Sequence, residues 1–389
     1  MSFIDILPES KSPAHDSAHL HVAGESEYVD DRPLAHNELF VGLIYSPHAR
    51  ARIKKMDVSE ILALNGVVAV FTADSLQHNA WGSVIADQPL LAVNEINYAG
   101  EIIAVIAASS SKVLREALPL ARISYEILPP ILSIKDAIKH QSFIGTERIL
   151  ERGDAKKAIA LSPHKLSGNI MLGGAEHFYL ENQGTIAYPL EDGHLEIHCS
   201  TQHPTEVQHV VAEALGLPQS KIVTITKRLG GGFGGKETQA APFAVYAALV
   251  AHHCKRPARL VLSKDDDMVM TGKRNPYLVD YEVGFDEQGK IQGLLCTFFG
   301  DGGAYADLST SILERAMTHA DNAYFIPHAQ IRGIVCRTNF HPHTAFRGFG
   351  GPKGVAMIEH VMEEIAHHLK VDALDIRKLN CYQQENNVT

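Results

Sequence analysis

The run Arg228-Leu229-Gly230-Gly231-Gly232-Phe233-Gly234-Gly235-Lys236-Glu237 packs five glycines into ten residues and ends on a cation beside a carboxylate. The β-branched stretch Ile222-Val223-Thr224-Ile225-Thr226 precedes it, and an apolar, helix-like segment follows. Strand, glycine loop and helix in that order can cradle an anion, because backbone N–H groups turn into the loop and the helix N-terminus adds positive potential. Glycine also lets backbone approach a bulky ligand where a Cβ would collide. Two nucleotide readings fit in part. Gly230 to Lys236 matches G-x-x-x-x-G-K, but the next residue should be Ser or Thr to hold Mg²⁺, and here it is Glu237, which repels a triphosphate. Gly230, Gly232 and Gly235 match G-x-G-x-x-G, yet no acidic residue ends a following strand at the required distance.

A second glycine motif, Thr344-Ala345-Phe346-Arg347-Gly348-Phe349-Gly350-Gly351-Pro352, also leads into a helix-like stretch. Glu314-Arg315-Ala316 lies between the two motifs. Ser200-Thr201-Gln202 and Glu176-His177-Phe178-Tyr179-Leu180-Glu181 lie upstream. In this order the set resembles the molybdenum subunit of the xanthine dehydrogenase and aldehyde oxidase family, from about Gly24 to the end.

The resemblance implies a pterin cofactor, molybdopterin, and hydroxylation of a purine such as xanthine or hypoxanthine with water as the oxygen source. Glu237 then faces the substrate, and Arg315 faces it from the opposite side. A half-dry carboxyl can share a proton with a ring nitrogen, and a guanidinium can hold a carbonyl and the charge that develops on the ring. Phe349 becomes a stacking ring. Gln202, Gly232, Phe233, Ala345, Phe346 and Arg347 lie against the cofactor. Of these, Gln202, Phe233 and Arg347 come near molybdenum through backbone or oxo ligands rather than as side-chain ligands. Family members that oxidise aldehydes typically lack the Glu and Arg pair. An aldehyde oxidoreductase of the same family is nevertheless one alternative, and a truncated non-catalytic fragment or assembly subunit is another. The family's subunit continues into a second cofactor domain that carries the general base, so this chain resembles the N-terminal half and is expected to be inactive alone. Iron–sulfur clusters and FAD are expected on partner chains.

Each of these residues also has a plain structural reading. Glu237 suits a solvated carboxylate at a helix start. Arg315 suits a surface cation paired with Glu314 or Asp307. Gln202 suits a strand-end amide, and the phenylalanines suit core packing. His360, Glu364 and His367 share a helical face, but carboxylate-bridged metal sites need two E-x-x-H motifs and only one is present. His19/His21 and His341/His343 lack a third ligand at useful spacing. Asp265-Asp266-Asp267 reads as a solvated turn.

The elements that must position these groups suit an α/β (α+β) fold of two domains. With 389 residues, 45% hydrophobic and 21% charged, the chain is globular, and a net charge of −10 excludes a dedicated nucleic-acid binder. No apolar run is long enough to span a membrane, and the N-terminus lacks a signal peptide's pattern, which points to the cytoplasm. Five scattered cysteines, none in C-x-x-C, suit buried thiols and exclude an iron–sulfur cluster held by this chain alone. Residues 1–19 read as a flexible N-terminus and 20–138 as a hammerhead-like α/β domain. Within the latter, strands fall at Leu39–Ile44, Val67–Phe71, Ile102–Ala107 and Ile123–Glu126. Pro129-Pro130 and the polar stretch His140–Glu151 mark a boundary. Residues 145–389 read as a second domain, which the resemblance makes the first molybdopterin-binding domain. It has helices through Val207–Leu215, Phe243–Cys254 and Val355–Leu369 and a hairpin of Tyr277–Val283 with Ile291–Phe299.

Overall fold

The structure, a computed structural model, describes residues 15–382. Most of the expected flexible N-terminus lies outside them, but its last residues are ordered: Ala18–Ala23 forms a short helix closed by Gly24.

A seven-stranded sheet organises one half of the molecule. Its strand order is Ile222–Ile225, Leu195–Cys199, Gly184–Pro189, Ala258–Val261, Leu39–Tyr45, Ile102–Ala108 and Val67–Phe71. The interior strand Ile102–Ala108 is buried along its full length, as its unbroken apolar run requires. Helix Ala240–Cys254 packs against this sheet and is buried on all sides from Ala240 to Ala251, matching a sequence with no polar face. Helix Pro204–Leu215 lies beside it, starting at a proline that needs no intrahelical N–H partner.

A five-stranded sheet organises the other half, in the order His164–Leu172, Tyr277–Phe285, Ile291–Gly303, Ala329–Arg337 and Phe143–Arg152. Helices Ser309–Thr318 and Gly351–Leu369 close a second core over it around Tyr277, Phe285, Phe298 and Met357. A three-stranded sheet, Glu95–Ile96, Ala51–Asp57 and Arg122–Ile127, flanks the first half.

Two expectations change. The polar stretch His140–Glu151 is mostly a strand, Phe143–Arg152, on the edge of the five-stranded sheet. Its charged side chains are what an edge strand carries to discourage further pairing, so its composition resembles a linker's. The double proline also fails to divide the hydrogen bonding. Leu39–Tyr45 pairs in parallel with Ala258–Val261, through Leu39 with Ala258 and Phe40 with Arg259, so one sheet joins strands from both sides of the expected boundary. Buried Arg259 reinforces that seam by donating to the Glu38 carboxylate and to the carbonyl of Arg32. The seam was invisible in sequence because its partners stand more than two hundred residues apart.

Candidate active site

The first glycine loop is held from inside by a buried cation. Lys236 is fully buried; its ammonium donates to the Glu181 carbonyl (2.6 Å) and the Ser200 hydroxyl (2.7 Å) and lies 4.5 Å from the centre of the Tyr179 ring. Its nearest carboxylate oxygen, on Glu181, is at 3.6 Å. Burial lowers the Lys236 pKa to about 8, against the upward pull of Glu181 and Asp267. The Glu181 carboxylate in turn accepts from the Gly230 amide and the Ser200 hydroxyl, both at 2.7 Å. An unpaired buried ammonium would cost several kcal/mol, so this set must form as a unit.

The loop's amides are largely consumed by the protein. Gly234 (2.8 Å) and Lys236 (3.3 Å) both donate to Gln202 Oε1, Gly235 donates to the Gly232 carbonyl, and Glu237 donates to the Gly234 carbonyl. This corrects the expectation of an open anion cradle. Among the described residues, only the amides of Gly231, Gly232 and Phe233 in the segment Gly230–Glu237 lack a protein acceptor. Helix Ala240–Cys254 begins three residues after Glu237, so Glu237 occupies a turn rather than a helix's first turn.

The second loop is built onto the first. The Arg347 amide donates to the Phe233 carbonyl (2.8 Å). Gly234 faces Ala345 so closely that an added Cβ would stand 2.6 Å from the Ala345 oxygen, and its φ of +102° is one that other residues rarely adopt. Buried His177 lies between the loops. Its Nε2 contacts the Ala345 carbonyl at 2.7 Å, which makes Nε2 the protonated nitrogen, and its ring stacks on Phe346 with centroids 4.7 Å apart. Burial depresses the His177 pKa. Arg274 covers the other face of this unit, 3.9 Å from the Phe346 centroid and donating to the Arg347 carbonyl (2.8 Å).

The structure thus brings Gln202, Gly232, Phe233, Ala345, Phe346 and Arg347 into one joined pair of loops. Gln202 does more than cap a strand. Because Oε1 accepts from two loop amides, its amide orientation is fixed, and Nε2 has no protein acceptor among the described residues. Phe349 is half-buried against Leu308, Ile312 and Ala345. Arg315 is exposed on the last turn of Ser309–Thr318 and makes no ion pair among the described residues, since Glu314 pairs with Arg148 and Asp307 turns inward. Glu237 is half-buried, and burial raises its pKa against the lowering pull of His203. The solvated-turn reading of the three aspartates gives way for Asp267. It lies in the first turn of helix Lys264–Met270 and is buried, and it accepts from the Tyr179 hydroxyl (2.6 Å) and the Gln183 backbone amide (2.7 Å). Among the described residues no cluster of histidines, cysteines and carboxylates could hold a metal ion.

Sequence profiles agree with this geometry. The profile of the molybdopterin cofactor-binding domain matches residues 139–381, and that of the a/b hammerhead domain of aldehyde oxidase and xanthine dehydrogenase matches residues 23–129. The chain belongs to the aldehyde oxidase and xanthine dehydrogenase family. It is 41% identical over 380 residues to xanthine dehydrogenase of Drosophila pseudoobscura pseudoobscura and 41% identical over 371 residues to xanthine dehydrogenase/oxidase of Rattus norvegicus. These alignments cover 97% and 95% of this chain but only 28% of each relative. Among solved structures, CO dehydrogenase from Oligotropha carboxidovorans superposes with a TM-score of 0.86 at 25% identity, covering 96% of this chain and 50% of the other. Aldehyde oxidoreductase from Desulfovibrio gigas superposes with a TM-score of 0.85 at 24% identity, covering 96% of this chain and 43% of the other, and shows the shared fold.

The site's chemistry fits the aldehyde oxidase and xanthine dehydrogenase family's cofactor. Unpaired amides at Gly231–Phe233 and the uncommitted Gln202 Nε2 offer donors to an electron-rich group. Neither loop offers a thiolate, imidazole or carboxylate cluster that would compete for its metal. The holding residues Lys236, Ser200, Asp267 and Arg274 had no assigned role in sequence. For Lys236 a signal existed: a cation closing a glycine run shortly ahead of an apolar helix.

Proposed function

We propose that this chain is part of a molybdenum hydroxylase that oxidises purines, with xanthine and hypoxanthine as the substrate class. The observation that carries the reading is that Glu237 and Arg315 are both uncommitted: no protein group is hydrogen-bonded to the Glu237 carboxyl, and no carboxylate pairs with Arg315, among the described residues. A carboxyl whose proton affinity is raised by burial can share that proton with a heterocycle nitrogen. A free guanidinium can bind a purine carbonyl and stabilise charge that develops on the ring. Phe349, half-buried on its own loop, offers a ring edge or face to a planar substrate.

When bound, the molybdenum cofactor supplies oxygen transfer from water to an electron-poor ring carbon. Gln202, Gly232, Phe233, Ala345, Phe346 and Arg347 hold it, mostly through backbone, and Glu237 and Arg315 orient the purine beside it. Iron–sulfur and flavin centres on partner chains or domains would take up the electrons, and the much greater length of the relatives leaves room for them.

The test uses the complete enzyme. Glu237→Ala and Arg315→Met should each lower kcat/KM for xanthine by roughly 30- to 1,000-fold, the equivalent of about 2–4 kcal/mol for a lost charge-assisted contact in the transition state. Molybdenum content should stay at the wild-type level. Unchanged xanthine turnover in both variants, or a wild-type enzyme that takes only aldehydes, overturns the purine reading.

A further inference from the structure

Asp307 is a charged residue at the centre of the fold with no role in the chemistry described so far. It is buried, and its φ of +39° is in the left-handed region, which a non-glycine residue holds only when its surroundings fix it there. Its Oδ1 accepts from the Thr238 hydroxyl (2.8 Å) and its Oδ2 from the Gln239 side-chain amide. Thr238 and Gln239 are the two residues after Glu237. The Thr238 hydroxyl is also 3.3 Å from that of Thr344, the first residue of the second glycine motif. Two residues after Asp307, helix Ser309–Thr318 begins, and Arg315 lies on its last turn.

One carboxylate therefore touches the segment that carries Glu237, adjoins the segment that carries Ala345 and Phe349, and precedes the helix that carries Arg315. The surrounding bonds fix the polarity of the junction. Gln239 Oε1 accepts from the Gly272 amide (3.1 Å), so its nitrogen must be the group facing Asp307, and Asp307 must accept there. At the helix start, the Ser309 hydroxyl accepts from the Asn275 side chain (2.9 Å) and lies 3.3 Å from the His343 carbonyl. Those two contacts tie the helix start independently of Asp307.

We propose that Asp307 is the positioning residue that sets Glu237 and Arg315 against each other across the site, and that the preference for a purine depends on it. The proposal rests on the purine reading above. It differs from a general packing role in one respect: removing the junction should alter where the two charged groups stand before it alters the loops that hold the cofactor. The first loop is fixed independently by Lys236, Glu181 and Gln202, and the second is tied to it through the Arg347 amide and His177. Burial pushes the Asp307 pKa up to about 6, and the nearby Glu237 carboxylate adds to the rise. On Glu237 itself burial raises the proton affinity, while His203 opposes the rise.

The experiment compares wild-type complete enzyme with Asp307→Asn, Thr238→Val and Thr344→Val, each alone and combined with Glu237→Ala, at measured molybdenum content. Asp307→Asn keeps one oxygen to accept from Gln239 and turns its NH₂ to the Thr238 hydroxyl, so it removes the charge and reverses that hydrogen bond without emptying the junction. The expected result is a fall in kcat/KM for xanthine of at least roughly 30-fold with molybdenum retained, a smaller fall of the same kind in the Val variants, and little further loss from Asp307→Asn once Glu237 is already Ala. A crystal structure of the Asp307→Asn holoenzyme should show Glu237 displaced relative to Arg315. If xanthine turnover and metal content fall in parallel, or the losses add fully in the Glu237→Ala background, or Glu237 and Arg315 keep their separation, Asp307 is not a positioning residue. A wild-type enzyme that does not oxidise xanthine sinks the purine reading instead, and the crystallographic separation then decides the case for Asp307.

Discussion

The two glycine loops have similar composition but different supports. The first, Gly230–Glu237, is held by side chains brought from elsewhere: Lys236 into Ser200 and Glu181, Gln202 onto two amides. The second, Thr344–Gly351, is held mainly by the first, through Arg347 to Phe233 and through His177, which spans both loops. Its other supports are lighter: Arg274 over Phe346 and onto the Arg347 carbonyl, the Thr344 amide on the Lys273 carbonyl, and Phe349 packed on Leu308 and Ile312. The first loop is thus the template and the second is moulded to it. Damage to the first should spread to the second, and damage to the second should stay local.

The sharpest break of that asymmetry comes from matched glycines. Gly234 and Gly348 have nearly the same φ, +102° and +100°, so alanine costs similar backbone strain at either, about 1–2 kcal/mol. They differ in what the new methyl would meet. At Gly234 it meets the Ala345 carbonyl at 2.6 Å, which is backbone of the other loop. At Gly348 it meets the Pro352 ring at 2.5 Å, which is part of its own segment. Gly234→Ala should separate the loops and abolish molybdenum retention, whereas Gly348→Ala should keep most of the metal. Elemental analysis of the two purified enzymes makes the comparison, and equal metal loss would end the template view.

Next in size is the buried cation. Lys236→Met removes the ammonium and leaves Glu181 charged among buried groups, a change worth about 3–5 kcal/mol when one partner of a buried pair is deleted. The double variant Lys236→Met, Glu181→Gln removes the stranded charge and should recover part of that loss. Thermal unfolding of the four species forms the cycle. Simple additivity would mean that the pair does not act as a unit.

How much of this was legible in the sequence follows from the same asymmetry. Both glycine motifs were visible because backbone geometry writes itself as glycine. Strand Ile102–Ala108 and helix Ala240–Cys254 were visible because full burial writes itself as an unbroken apolar run; Val67–Phe71 carries the same kind of run, yet it is an edge strand with only Phe71 buried. Lys236, Glu181 and Ser200 gave no periodic signal, since a buried polar hub depends on partners far apart in the chain. Phe143–Arg152 was hidden because an edge strand's protective charges look like a linker's. Asp267 illustrates the same limit, with three adjacent aspartates of which one is buried, a difference set entirely by Tyr179 and Gln183.

Arg274 is the smaller probe. Arg274→Ala removes a guanidinium stacked on Phe346 and one hydrogen bond to the Arg347 carbonyl, together about 1–2 kcal/mol. If the second loop is moulded on the first, the loss stays there. Hydrogen exchange should quicken at the amides of residues 346–351 and not at those of 234–237. Faster exchange in both segments would show that Arg274 supports the template as well.

The smallest effect is also the one that reads both loops at once. His177 is buried and neutral, with its folded-state pKa depressed below 6.5 chiefly by burial. Below that value the unfolded chain binds a proton that the folded chain resists. Stability from this group is therefore present above about pH 6.5 and declines as the pH falls through and below it. The slope cannot exceed about 1.4 kcal/mol per pH unit for one proton. Glu237 and Asp307 act with the opposite sign, because their raised pKa values make the folded state the better proton binder in acid. The net slope of the wild type mixes these with other buried groups, among them Glu101, raised to about 7, and His341 and His343, lowered by burial, and the difference between wild type and His177→Gln isolates the histidine. Measured as local amide exchange between pH 7 and pH 5, wild type minus variant should show acid-induced opening at the Ala345 side of the contact, where the His177 hydrogen bond ends. It should show less at Gly230–Gly235, where Glu181 and Gln202 still hold the amides. Equal opening of both segments would place the shared histidine, rather than the buried lysine, at the base of the site.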